Sequence, residues 1–142
     1  MDNLHWEIIK KIMDLNKQQW LTNKMSERDF CSWFNKNIKN DVFYFKLSDQ
    51  DQRIKPFDAF GVYKWLWLWM EFKKVDWHIV YPYKELKWSS PKNPWGQVAG
   101  LTRHSKHWWL SLVIVFSRKA CRFQVFKFDE LTLDTKYDFY EK

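Results

Sequence analysis

The sequence predicts a single mixed α/β domain with its elements in the order α-α-β-β-β-α-β-β. Two observations carry this. Near the N-terminus and after residue 26, apolar residues recur three or four apart, the period of a helix with one buried face. From Val42 onward they alternate or run in short blocks bounded by turn residues, as strands do. The length agrees, since 142 residues supply one core and leave no room for several domains.

Each element has its own reason. Residues 4–21 read as an amphipathic helix, with Leu4, Ile8, Ile12 and Leu15 on one face. A second helix opens at Ser26, where Ser26 and Asp29 form a capping-box-like pair and Phe30, Trp33, Phe34 and Ile38 follow at helical spacing. Asn40-Asp41 ends it, and residues 42–47 form a short strand before a polar turn. Pro56 to Tyr63 is the next strand, Lys64 a tight turn, and Trp65 to Lys73 the third strand. In that strand Leu66, Leu68, Met70 and Phe72 leave one face, and Trp65, Trp67, Trp69, Glu71 and Lys73 the other. Residues 74–92 read as irregular, broken by Pro82 and Pro91. Asn93-Pro94 opens a third helix to about Lys106, Pro being favoured at the first helical position. Trp108 to Ser117 and Cys121 to Phe128 are the last strands, joined by a turn over 117–120. The domain thus divides into an N-terminal helix (1–25), a core (26–128) and an acidic C-terminal tail (129–142).

Composition excludes several classes. Three glycines cannot supply a Gly-rich phosphate loop of the nucleotide-binding kinds. Cys31 and Cys121 are too few for a disulfide framework or a Cys-based zinc site, and both read as small buried hydrophobes. The N-terminus lacks a signal-peptide layout, and Trp65 to Met70, the longest strongly apolar stretch, is far too short to span a bilayer. An intracellular, cytoplasmic protein that does not enter membranes is expected. The low-glycine, Asn- and Lys-rich composition fits a phage or mobile-element origin.

Charge narrows the partners. Lys and Arg outnumber Asp and Glu by 24 to 17, a formal net charge of +7. Residues 129–142 hold five acids against Lys136 and Lys142, so the rest of the chain is more basic still. A basic body points to an acidic partner, nucleic acid or an anionic membrane surface, or else reflects solubility alone.

The stretch KPFDAFGVYKWLWLWMEFKK carries the chemistry. It sets Asp58 in one strand and Glu71 and Lys73 in the adjoining one, the latter two on the same face. Two carboxylates on neighbouring strands can hold a divalent cation, with the Phe72 carbonyl as a third ligand. Lys73 can then orient a metal-activated water and offset phosphate charge. The tripeptide alone is weak, because Glu85-Leu-Lys87 and Asp134-Thr-Lys136 repeat it, and its plain reading is a solvated strand end. Only the first copy follows an apolar strand with a Pro-x-Asp strand upstream. Glu27 shares the face of Phe30 and Phe34, which aims it inward, or else it serves the helix dipole. Gln97, one turn before Leu101, lies on an inward stripe or is an exposed amide.

These residues carry a resemblance. The run from Ser26 to Phe128 resembles the PD-(D/E)xK nuclease superfamily and, within it, RecU-type Holliday-junction resolvases and their phage relatives. SERDFCSWF matches the helix bearing the first acid, FKLSD precedes KPFDAFGV with its Asp, MEFKK supplies the E-x-K, and PWGQVAGL the Gln-bearing helix. Pro56 and Asp58 are separated by one inserted residue, and no projecting stalk is identified. The resemblance implies a restriction-endonuclease-like fold, a mixed sheet of four to five strands flanked by helices. It implies that Asp58 and Glu71 bind Mg²⁺ (or Mn²⁺), that Lys73 positions the attacking water, and that Glu27 and Gln97 support the site. The activity it implies is a Mg²⁺-dependent endodeoxyribonuclease resolving branched DNA as a homodimer.

Other residues allow further readings. Lys74, Lys84, Lys87, Lys92, Arg103 and Lys106 are candidate DNA contacts. Trp77, Trp88 and Trp95 beside them serve nucleic-acid or dimer contacts, or anchor loops. Trp65, Trp67 and Trp69 are expected in the core. His104 and His107 lack further ligands at zinc spacing and fit a helix C-terminus better. Two alternatives to the nuclease remain open here: a non-catalytic nucleic-acid-binding module on the same fold, and an aromatic-rich protein-interaction domain.

Overall fold

The inward stripe near the N-terminus builds α1 (Asp2–Met13), which tightens into a single 3-10 turn over Asp14–Lys17. A computed structural model describes residues 2–17, 22, 24–38, 43–46, 59–86 and 109–141. The regular helix ends earlier than the periodicity over 4–21 predicts, and the reason is local. Asn16 turns its amide onto the backbone of Phe123, donating to the carbonyl at 2.9 Å and accepting from the N–H at 3.0 Å. A side-chain amide that pairs with a strand in this way draws the chain down onto the sheet and competes with helix continuation.

The second helix, α2 (Glu27–Ile38), begins where its cap predicts. Ser26 Oγ accepts from the Asp29 N–H at 3.1 Å, and Asp29 Oδ2 accepts from the Ser26 N–H at 3.2 Å. Two otherwise orphaned donors are satisfied reciprocally, which is the function of a capping box.

The strands are β1 (Phe43–Lys46), β2 (Ala59–Tyr63), β3 (Leu66–Val75), β4 (Ile79–Val80), β5 (Trp109–Ser117), β6 (Arg122–Lys127) and β7 (Tyr137–Asp138). Among the described residues five form one mixed sheet in the order β1-β2-β3-β5-β6, antiparallel except for the parallel β3–β5 pair. The fold is therefore mixed α/β. The β2–β3 hairpin turns on Lys64 at φ 56°, where a non-glycine residue costs on the order of 1 kcal/mol. Lys64 is held there by Glu7 of α1, whose Oε1 accepts from Nζ at 2.7 Å and also from the Tyr63 hydroxyl.

The sheet is covered on both faces. On one side Ile8, Ile12, Phe30, Phe34 and Ile38 from the helices pack on Leu66, Leu68, Met70, Phe72, Leu112, Ile114 and Phe116. On the other, Val75, Val113 and Val115 meet Val80, Leu86, Phe128 and Phe139.

That second layer corrects two expectations. Residues 74–92 are not irregular from the start, since β3 continues to Val75 and β4 follows directly. The acidic tail read over 129–142 is, through its described residues to Glu141, tied to the domain: a 3-10 turn (Phe128–Glu130) leads to β7, which pairs antiparallel with β4, and Phe139 is buried. Asp129, Glu130, Asp134 and Glu141 of this segment face water, while Phe139 fills the core. The predicted third helix, 94–106, lies outside the described residues, as do residues 39–42 and 56–58 at predicted element ends. Among the described residues no helix is long and apolar enough to cross a membrane.

Candidate active site

Alternation along β3 decides which side chains can meet. Phe72 turns its ring into the helix-side core, so Glu71 and Lys73 on either side of it leave the opposite face together. There Lys73 Nζ lies 3.3 Å from Glu71 Oε1. Both residues are buried, Glu71 at 1% and Lys73 at 6% exposure. Across the parallel ladder their partners are Val113 and Val115, both fully buried. The pair therefore sits against hydrocarbon, where a charge interacts far more strongly than at a solvated strand end.

This separates Glu71-Phe72-Lys73 from its two sequence look-alikes. Glu85 is exposed in the turn after Pro82, and Asp134 and Lys136 are exposed in the C-terminal segment. Among the described residues of the three copies, only Glu71 and Lys73 are buried and paired with each other. A buried carboxylate is a hard oxygen ligand of the kind Mg²⁺ takes, and the adjacent ammonium is placed to counter negative charge on a ligand held there. The donor set thus fits a divalent cation in part, with Glu71 the contributor among the described residues. No group of three or more His, Cys, Asp or Glu gathers as metal ligands among those residues.

The other predicted site residues divide clearly. Asp58 and Gln97 lie outside the described residues, as do Lys87, Lys92, Arg103 and Lys106. Ala59, the sequence neighbour of Asp58, pairs with Met70, the sequence neighbour of Glu71. Glu27 corrects the expectation of an inward carboxylate. It is exposed with Arg28 and Asp29, and burial in α2 begins only at Phe30. A long charged side chain in a first turn reaches water at little cost, whereas burying it unpaired would be expensive. Lys74 is half-buried with Nζ 3.7 Å from Asp76, and Lys84 is exposed with Nζ 4.7 Å from the Tyr81 ring centroid.

The tryptophans also depart from expectation. Trp69 is buried, but Trp65 and Trp67 are 58% and 44% exposed. Trp65 occupies the hairpin turn itself, and Trp67 is only the second residue of β3. Of the two cysteines, Cys31 is buried as expected. Cys121 is only half-buried and stands at φ 53° in the β5–β6 turn.

Sequence reasoning missed a second cluster. His78 Nδ1 lies 2.9 Å from Asp138 Oδ1, and this contact, followed by the Tyr140 N–H, holds the Asp138 carboxyl below its ordinary pKa. Trp77 and Tyr140 flank the His78 ring, with Arg118 and Lys119 nearby. The partners are sixty residues apart, so local spacing gave no signal beyond the isolated Trp77.

No family model matches this chain, and no curated protein matches it either.

Proposed function

We propose that this protein is a metal-dependent endodeoxyribonuclease of the PD-(D/E)xK kind, acting on branched DNA such as a four-way junction and working as a homodimer. The observation that carries the reading is the buried Glu71–Lys73 pair on β3. Ion pairs are costly to bury, and replacing one with well-packed hydrocarbon is often neutral or stabilising. A buried pair set against Val113 and Val115 therefore favours a chemical role over a structural one. The mixed five-stranded sheet, with E-x-K on its third strand and helices across one face, supports a restriction-endonuclease-like fold.

In this reading Glu71, Asp58 and the Phe72 carbonyl would hold Mg²⁺ or Mn²⁺, with Gln97 as outer support. What a cation held there would supply is a lowered pKa for a bound water and positive charge against the phosphate. Lys73 orients the attacking oxygen through its ammonium and stabilises charge that builds on the phosphate as the P–O bond breaks. A junction presents two equivalent strands, so a two-fold dimer matches its symmetry.

The test is cleavage of labelled linear duplex, single strand, flap and four-way junction, with Mg²⁺ and with EDTA. Wild type is expected to nick only with metal. Asp58→Asn and Lys73→Ala should lower the rate at least about a hundredfold while DNA binding survives. Near-normal cleavage by either folded variant overturns the site. Binding without cutting on every substrate replaces the nuclease with a non-catalytic module.

A further inference from the structure

Beyond the end of β3 the chain builds a surface that cleavage does not require. Trp77 and His78 have ring centroids 4.6 Å apart at 44°, and His78 and Tyr140 4.5 Å apart at 17°. Trp77 and Tyr140 are each 53% exposed. Single exposed aromatics are ordinary on a protein surface, but three contiguous rings are not.

The ledge is rigidly built. His78 contacts Asp138 through Nδ1, and its carbonyl accepts from the Phe139 N–H at 2.7 Å. Asp138 Oδ1 also accepts from the Tyr140 N–H at 2.9 Å, and the Tyr140 hydroxyl donates to the Lys119 carbonyl at 3.2 Å. On the other side, Ser117 Oγ donates to the Trp77 carbonyl at 2.9 Å. Such rings offer a flat surface with little ordering entropy left to lose on binding.

Its cations are adjacent. The Lys119 ammonium lies 4.9 Å from the Trp77 ring centroid. A shallow groove of about 430 Å³ is lined by Asp76, Arg118, Lys119 and Tyr140. That volume is within the range of small-ligand clefts. The carboxylate in the groove is already offset, since Asp76 Oδ1 lies 3.3 Å from Arg118 Nη1 and 3.7 Å from Lys74 Nζ.

We propose that the exposed rings of Trp77 and Tyr140, with His78 packed between them, stack a base of an unpaired nucleic-acid strand while Lys119 and Arg118 hold its phosphate. The proposal rests on the nucleic-acid part of the reading above and not on hydrolysis. Bases inside a duplex have their faces covered, so an open aromatic face selects the unpaired strand, and rings with flanking cations are the usual means of holding one.

The experiment is fluorescence anisotropy with the full chain in EDTA, so that nothing is cut, on labelled oligo(dT) and on a blunt duplex of equal length. Trp77→Ala and Tyr140→Ala are each expected to weaken oligo(dT) binding about fivefold to a hundredfold. Trp77→Phe and Tyr140→Phe should keep it near wild type, and duplex affinity should change by less than about twofold. Lys119→Ala should reduce the salt dependence by about one contact. If an alanine variant fails to fold by circular dichroism, charge reversal at exposed Lys119 (Lys119→Glu) makes the same test. Oligo(dT) binding unchanged in the folded variants overturns the ledge. So does an equal loss on oligo(dT) and duplex, a wild type that binds duplex only, or one that binds neither and self-associates through Trp77. Failure of the metal site would be seen only in cleavage and would leave these affinities untouched.

Discussion

The two faces of β3 use the same backbone for opposite ends. Towards the helices Leu66, Leu68, Met70 and Phe72 are all fully buried and hydrocarbon. Away from them Trp67, Trp69, Glu71 and Lys73 pass from half-exposed aromatic to a buried ion pair within seven residues. The first face stabilises by volume and area, and any well-shaped apolar residue contributes there. The second holds charge in a layer where charge is unfavourable by itself. One face therefore serves the fold, and the other carries the buried ion pair on which the proposed chemistry rests.

The largest effect on stability should come from the helix face. Phe30 lies with ring centroids between 5.1 and 6.2 Å from Trp33, Phe34, Phe72, Phe116 and Phe123. Phe30→Ala should cost about 3–5 kcal/mol in denaturant unfolding. A cost near 1 kcal/mol would show a core that collapses around the gap and would weaken the contrast between the faces.

The ion pair should behave differently, because its cost depends on what remains. Lys73→Met leaves the Glu71 carboxylate buried without its lysine and should destabilise by about 3 kcal/mol. Adding Glu71→Leu to that variant should recover most of the loss, since a well-packed apolar pair is often neutral or stabilising. A double variant that remains as unstable as the single one would make the pair structural and undercut its assignment to catalysis. The same double variant is expected to cut no DNA, so stability recovered without activity would sharpen the division between the faces.

How far this was legible depended on distance along the chain. The Ser26–Asp29 cap, the inward stripes of both helices and the alternation that sets Glu71 beside Lys73 are all local, and each is visible in a window of a few residues. What alternation could not show is which outward residues are covered. Trp67 and Lys73 share a face, yet one is half-exposed and the other buried, because cover comes from segments remote in sequence. The second sheet failed to register for the same reason. Strands of two residues, β4 and β7, have no periodicity to detect and exist only because each pairs with the other. The acids of 129–142 drew the reading towards an acidic tail, while Phe128 and Phe139, which fix the segment to the sheet, are spaced too irregularly to announce a strand. Glu27 failed for a different reason: sharing a helical face with Phe30 does not oblige a first-turn carboxylate to be buried.

The smallest expected effect lies at the Glu7–Lys64 pair, which has the chemistry of Glu71–Lys73 without its burial. Lys64 Nζ is 2.7 Å from Glu7 Oε1, closer than the buried pair, but both side chains are about half-exposed. Solvent and salt screen such a contact, so the shorter distance does not make the stronger bond. Its signature is the pH profile. Hydrogen bonds from Lys64 and then Tyr63 hold the Glu7 carboxyl below its ordinary pKa, so its contribution is present above pH 4.5 and is lost as pH falls through the lowered value. The bond to Glu7 raises both Tyr63 and Lys64, whose contributions are present below pH 10.0 and 10.5 and are lost as pH rises through the raised values. The wild-type advantage over Glu7→Gln should therefore form a plateau around neutrality, shrink at both ends, and diminish at high salt. Unfolding free energies measured for both proteins across that range would check it. A difference that is flat from acid to alkali would mean that Glu7 does not grip the hairpin through its charge, and that Lys64 holds its positive φ by strand pairing alone.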